Sequence, residues 1–245
     1  MGEPTRVKRG VKTAILVDGG FYRKRSDKLF GVTTPEEAAK RLHHYCMALL
    51  KDKYEDRQLY RIFYYDCPPS DKVVYHPLTG RSVNLKKSED YAWMTTFLHA
   101  LHKYRKVALR LGRMSENGAQ YHLKYDTLKK LFRRDITLDD VTVDDFELDF
   151  KQKGVDMRVG VDISSLAFKK QVDQIILIAG DSDFVPASKQ ARREGIDFIL
   201  DNMESHINDD LFEHIDGIKT AVKRFKEDQS RPAEKAFEKS FRESI

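Results

Sequence analysis

The stretch "IILIAGDSDFVPASKQARREG" (residues 175–195) decides the fold. Strand-forming apolar residues from Ile175 to Ala179 break into Gly180-Asp181-Ser182-Asp183, after which a helix is expected from about Asp183 to Glu194. Working outward, "IDFILD" (196–201) reads as the next strand and "NDDLFEHI" as a short helix. Upstream, a helix is expected near Val155 to Lys170, and the N-terminal "TAILVD" is a short buried strand ending at Asp18, where Gly19-Gly20 lets the backbone turn. Thr34-Pro35-Glu36-Glu37 opens a helix to about Lys53: a Thr cap, Pro at the first position and acids in the first turn. "LYRIFYYD" (59–66), a helix over about 88–104 and the strand "VALRLGR" follow, then a basic helix, "KYDTLKKLFRR", and the acidic run "DITLDDVTVDDFELDF". Strands alternating with helices of this length predict a parallel sheet with helices on both faces.

In such a sheet, functional groups collect at the carboxyl ends of the strands. Asp18 ends the first strand, and Asp181 and Asp183 end a later one, so they belong on one rim. Ser182 keeps their turn compact. In "KQKGVDMRVGVDISSLAFKK", Asp156 falls in the first helical turn, where the helix dipole tolerates an anion. Asp162 is six residues on, about 120 degrees round the helix, and is expected behind the site. Asp18, Asp156, Asp181 and Asp183 would repel one another unless a cation stood between them, and oxygen ligands suit one or two Mg²⁺ or Mn²⁺ ions. Taken singly, Asp18 reads equally as a turn former and Asp183 as a helix cap.

"ILVDGGF" (15–21), "KGVDMRVGVDISSLA" (153–167) and "IAGDSDFVPASKQARREG" (178–195) together resemble the NYN domains, a branch of the PIN-like metal-dependent nucleases. "YYDCPPSDKVVYHPLTGRS" resembles the insertion of their bacterial LabA-like members. The resemblance implies a three-layer α/β/α sandwich, an acidic Mg²⁺ or Mn²⁺ site, and hydrolysis of RNA phosphodiesters as an endoribonuclease. It places Asp18, Asp156, Asp181 and Asp183 as metal-holding catalytic residues, with Asp162 and Ser182 in support. Many NYN domains carry Asn three residues after the first Asp, where this chain has Phe21.

The chain has 245 residues, 34% of them charged, and a net charge of +5, a mild pointer to a polyanionic partner. Single-stranded RNA would need cations for phosphates and aromatic faces for bases. "FYRKR" supplies both beside Asp18: Tyr22, Arg23, Lys24 and Arg25, expected in a loop, are the first choice, with Lys153 as a further phosphate contact. Tyr75 and His76 lie in the insertion, which could fold over the rim.

Two cysteines, Cys46 and Cys67, make neither a disulfide framework nor a metal site, and no apolar run approaches a membrane span. A cytoplasmic protein is expected. The expected organisation is a basic arm over 1–11, a nuclease domain over 12–220 with an insertion at about 67–150, and a charged tail over 221–245 whose Phe237, Phe241 and Ile245 could mediate a homodimer.

A rival reading keeps the fold as an RNA-binding or scaffolding module with weak or no cleavage. A small-molecule phosphohydrolase is disfavoured because "DGG" stands where an Asp-x-Asp nucleophile motif would follow the first strand. A dinucleotide enzyme is disfavoured because the third glycine of its fingerprint is missing.

Overall fold

A computed structural model of the protein describes residues 9–227. The first eight residues of the expected arm, and Phe237, Phe241 and Ile245 of the expected tail, lie outside the described residues. The chain runs β1 (Arg9–Asp18), α1 (Gly19–Phe30), α2 (Pro35–Leu49), β2 (Glu55–Asp66), β3 (Val73–Tyr75), β4 (Ser82–Asn84), α3 (Glu89–His102) and β5 (Val107–Leu111). It continues with β6 (Arg113–Leu123), α4 (Tyr125–Arg133), β7 (Phe146–Lys153), α5 (Val155–Phe168), β8 (Gln174–Ile178), α6 (Val185–Arg193), β9 (Asp197–Asp201), α7 (Asp209–Phe212) and β10 (Gly217–Ile218).

Six strands form one parallel sheet in the order β10-β9-β8-β1-β2-β5. Its central strands are apolar on both faces, as a sheet covered by helices on both sides requires. On one face Ile15, Val17, Ile62, Tyr64, Ile176 and Ile178 pack with α2 and α3; on the other Ala14, Leu16, Phe63, Tyr65, Ile175 and Leu177 pack with α5 and α6. The result is a three-layer α/β/α sandwich. After β1 the chain builds outward through β2 and β5, and later returns to the other side of β1 with β8. The crevice between the ends of β1 and β8 is therefore the topological switch point, where sheets of this kind place ligands.

Three features differ from the sequence reading. β1 already begins at Arg9, and residues 222–227 are helical with Val222 and Phe225 buried, so the folded body reaches past both expected boundaries. Residues 19–30 form α1 rather than a charged loop: Asp18 caps it, accepting from the Phe21 amide at 3.1 Å, and Gly19, Tyr22 and Ser26 make its buried stripe. Within 67–150, α3 and β5 belong to the main body; α3 packs on α2 and β5 extends the sheet. Two excursions remain, the β3-β4 hairpin and the antiparallel pair β6-β7. His76 is buried against the Tyr121 and Phe146 rings, which fixes the first excursion to the second, while Tyr75 is exposed.

Candidate active site

The strand ends build the site. Asp18 at the end of β1 and Asp66 at the end of β2 stand side by side, because the parallel register sets Asp18 opposite Tyr65. A cavity of about 290 Å³ opens over them, lined by Asp18, Gly20, Phe21, Tyr65, Asp66 and, from the start of α5, Gly154, Val155 and Asp156. Gly154 takes the left-handed conformation, φ 77°, that turns β7 into α5 and delivers Asp156 to the rim.

Electrostatics link these acids to the β8 pair. Burial raises the Asp18 carboxyl above the ordinary carboxylate range, repulsion from Asp66 and Asp156 adds to the rise, and the Phe21 amide opposes it. Asp156 is also raised, first by desolvation and then by Asp181 and Asp183. Asp181 accepts from the Asp183 amide at 3.1 Å and starts the 3₁₀ turn Ser182–Phe184, in which Ser182 is half-buried. A Cβ on Gly180 would meet the Phe21 ring at 2.5 Å. Phe21 thus seals the seam between the β1 and β8 ends and presents no polar group to it.

Asp66 was not singled out in the sequence, yet it is the most buried acid of the group. It accepts from the Tyr64 hydroxyl at 2.7 Å, from the Cys67 amide at 2.8 Å, and from Arg23, with which it forms an ion pair. Gly19 belongs to the same packing: a Cβ there would lie 2.5 Å from both the Asp66 carboxylate and the Tyr64 hydroxyl. The rule that picked out Asp18, an acid ending a buried strand, applies equally to "LYRIFYYD".

Asp162 accepts from the Tyr65 hydroxyl at 2.9 Å and from Arg110 Nε at 2.8 Å. It reaches the cavity through Tyr65, a lining residue, rather than directly.

The expected substrate contacts are mostly committed elsewhere. Tyr22 is buried, which removes it as a stacking platform. Arg23 pairs with Asp66, and Arg25 donates to the Met203 carbonyl at 2.6 Å. Lys24 is exposed on α1, and Lys153 is exposed at the end of β7, next to Gly154.

The donor chemistry of the rim, carboxylate oxygens crowded enough to raise one another, suits a hard divalent cation. Among the described residues no group of three His, Cys, Asp or Glu side chains is arranged to hold a metal ion.

The NYN domain family model matches residues 94–216. That span contains Asp156, Asp181 and Asp183 and leaves Asp18 and Asp66 on its N-terminal side. Among solved structures, a protein of unknown function from Vibrio parahaemolyticus is similar over 89% of this chain and 94% of its own, at 12% identity and a TM-score of 0.45. A Sir2–p53 peptide–NAD⁺ structure is similar over 91% of this chain and 93% of its own, at 12% identity and a TM-score of 0.31. No curated protein matches the chain. Among the described residues no helix is long and apolar enough to cross a membrane.

Proposed function

The chain belongs to the NYN family of PIN-like nucleases, and from that premise we propose that it is a metal-dependent endoribonuclease acting on single-stranded RNA. The observation that carries this reading is the meeting of acids from four chain segments, Asp18, Asp66, Asp156 and the Asp181–Asp183 pair, at the switch point of the sheet.

Asp18, Asp156, Asp181 and Asp183 would hold one or two Mg²⁺ or Mn²⁺ ions. Such an ion supplies Lewis acidity toward a phosphodiester and a water, and charge neutralisation as the bond breaks. The remaining work belongs to the chain. Burial, with repulsion second, raises Asp18 and Asp156, and a bound cation would act against that rise. Asp66, already neutralised by Arg23, holds the floor of the cavity in place and leaves the other carboxylates free. Asp162 fixes Tyr65 against the cavity wall. Lys24 and Lys153 supply exposed positive charge for the phosphates on either side of the cut.

The sequence between Tyr64 and Ser82 supports a place in the LabA-like branch. Buried, unpaired Cys46 and Cys67 support a cytoplasmic setting. A second reading, an RNA-binding module with little or no cleavage, is favoured by Phe21, which sets a ring where many relatives carry a polar side chain.

The test is cleavage of a labelled single-stranded RNA pool with Mg²⁺, Mn²⁺ or EDTA, beside Asp156→Asn and Asp181→Asn. The proposal expects metal-dependent internal cuts that each variant reduces at least a hundredfold, the scale of losing one preorganised electrostatic contact to the transition state. RNA binding without cutting by the parent protein would hand the protein to the second reading.

A further inference from the structure

A second cavity stands apart from the acidic one. It lies on the other side of the Arg23–Asp66 pair, has a volume of about 500 Å³, and is bounded by the Pro68-Pro69 turn, the start of α3 and the inner side of β6-β7. That volume falls within the range of small-molecule sites, about 300–1,000 Å³. Three aromatic residues face it: Tyr91, Trp93 and Phe150. Trp93 stacks one face on Phe97, with centroids 5.2 Å apart, and donates from its indole nitrogen to the Thr33 carbonyl, so its plane is fixed. Phe150 is 44% exposed, and neither it nor Tyr91 makes a ring contact among the described residues. Asp90, exposed in the first turn of α3, adds a carboxylate that can accept from an N–H edge.

We propose that this cavity binds one unstacked nucleobase of the RNA, whose adjoining phosphate then lies at the acidic rim. This rests on the ribonuclease reading for its ligand, and the geometry supplies the rest. Asp66 lines both cavities, so a base in one leaves its backbone at the wall of the other. Every base has a flat π face, and stacking on rings is how proteins hold single strands without pairing them. Exposed Lys86 and Lys87 follow the lining residue Leu85 and place positive charge near the mouth, where the strand would leave. The function of the two excursions then becomes physical: β7 and the Pro68-Pro69 turn supply walls that the bare sandwich lacks.

The experiment uses a probe with a base but no phosphodiester. The full chain is titrated into 2-aminopurine riboside in EDTA, with ribose 5-phosphate as the base-free competitor, and stacking is read as fluorescence quenching. The inference expects saturable quenching that ribose 5-phosphate does not displace. Tyr91→Ala and Phe150→Ala should each weaken it about tenfold, within the range for losing one base–aromatic stack. Both positions are outside the buried core, and circular dichroism confirms the fold of each variant. Absent quenching, displacement by the base-free competitor, or unchanged midpoints in both folded variants would overturn it. Because no bond is cut, quenching without RNA cleavage would sink the nuclease reading alone, and cleavage without quenching would sink the base site alone.

Discussion

Replacing Arg23 by Met separates a structural arginine from a substrate-binding one. The Asp66 side chain is 2% exposed and the Arg23 side chain 27% exposed, so the pair is largely shielded from water. Met keeps most of the aliphatic volume and removes the charge, leaving Asp66 with the Tyr64 hydroxyl and the Cys67 amide but no counterion, and with Asp18 as a neighbour. Breaking a buried pair from one side costs about 3–5 kcal/mol. The partial exposure of Arg23 puts the cost at the lower end, about 3 kcal/mol. In a chain of this size that lowers the melting temperature by roughly 6–12 °C. The assay is urea and thermal unfolding of Arg23→Met, Asp66→Asn and the double variant. The two single losses should exceed the double loss when summed, because the second substitution removes a charge that the first has already stranded. If Arg23→Met instead unfolds within about 0.5 kcal/mol of the parent while the salt dependence of RNA binding flattens by about 0.7 in slope, Arg23 is a phosphate ligand and the pairing argument is refuted.

Asp201 ends β9 fully buried, accepting from the Tyr45 hydroxyl at 2.7 Å and from the Met203 amide at 2.8 Å; burial pushes it up to about 6. Its unfolded value is about 3.9, so the folded state binds the extra proton between those pH values and stability is lost as pH rises through them. Relative to Asp201→Asn, the parent should lose about 2 kcal/mol between pH 4 and 7, measured by urea unfolding; a flat difference would show that Asp201 does not titrate late. Gly19→Ala forces a methyl onto the Asp66 carboxylate and the Tyr64 hydroxyl, both buried, and should cost about 1–3 kcal/mol by thermal melt; an unchanged melt would mean the β1 end relaxes freely. Gly180→Ala collides with the Phe21 ring, so its cost should shrink when Phe21→Ala is combined with it. Equal costs in both backgrounds would remove Phe21 from the seam.

The parallel sheet could be read from sequence because its central strands are unbroken apolar runs, and Asp18 and the Asp181–Asp183 pair stand at the ends of two of them. Helix α1 could not be read that way. Its buried stripe is Gly19, Tyr22 and Ser26, two of them small, and in the Gly19-Gly20 pair that reads as a turn, Gly19 allows close approach to Tyr64 and Asp66. That error carried the substrate contacts with it. Arg23 and Arg25 have the chemistry of phosphate ligands, but their partners, Asp66 and the Met203 carbonyl, lie 43 and 178 residues further along the chain. Residue type reports what a side chain can bind, and only the fold decides which partner reaches it first. The aromatic cavity was hidden for the same reason, since Tyr91, Trp93 and Phe150 come from two separate segments.

The charge balance at the rim follows from these placements. Five carboxylates gather there, and within the fold one guanidinium, Arg23, is spent on the deepest of them. Arg110 is held away on Asp162, and Arg158 donates to the Gly154 carbonyl at 2.6 Å instead of to Asp156. Among the described residues Asp18 and Asp156 thus keep no cationic partner of this kind, and burial first, then neighbouring carboxylates, raises both above the ordinary range. Under the proposed function, a fold that pairs Asp66 internally and leaves Asp18 and Asp156 raised by burial and repulsion would gain free energy when a cation arrives from solution. On that same proposal the acids would repel a nucleic-acid phosphate until the cation is bound, so cation binding and substrate approach would be coupled through the same side chains.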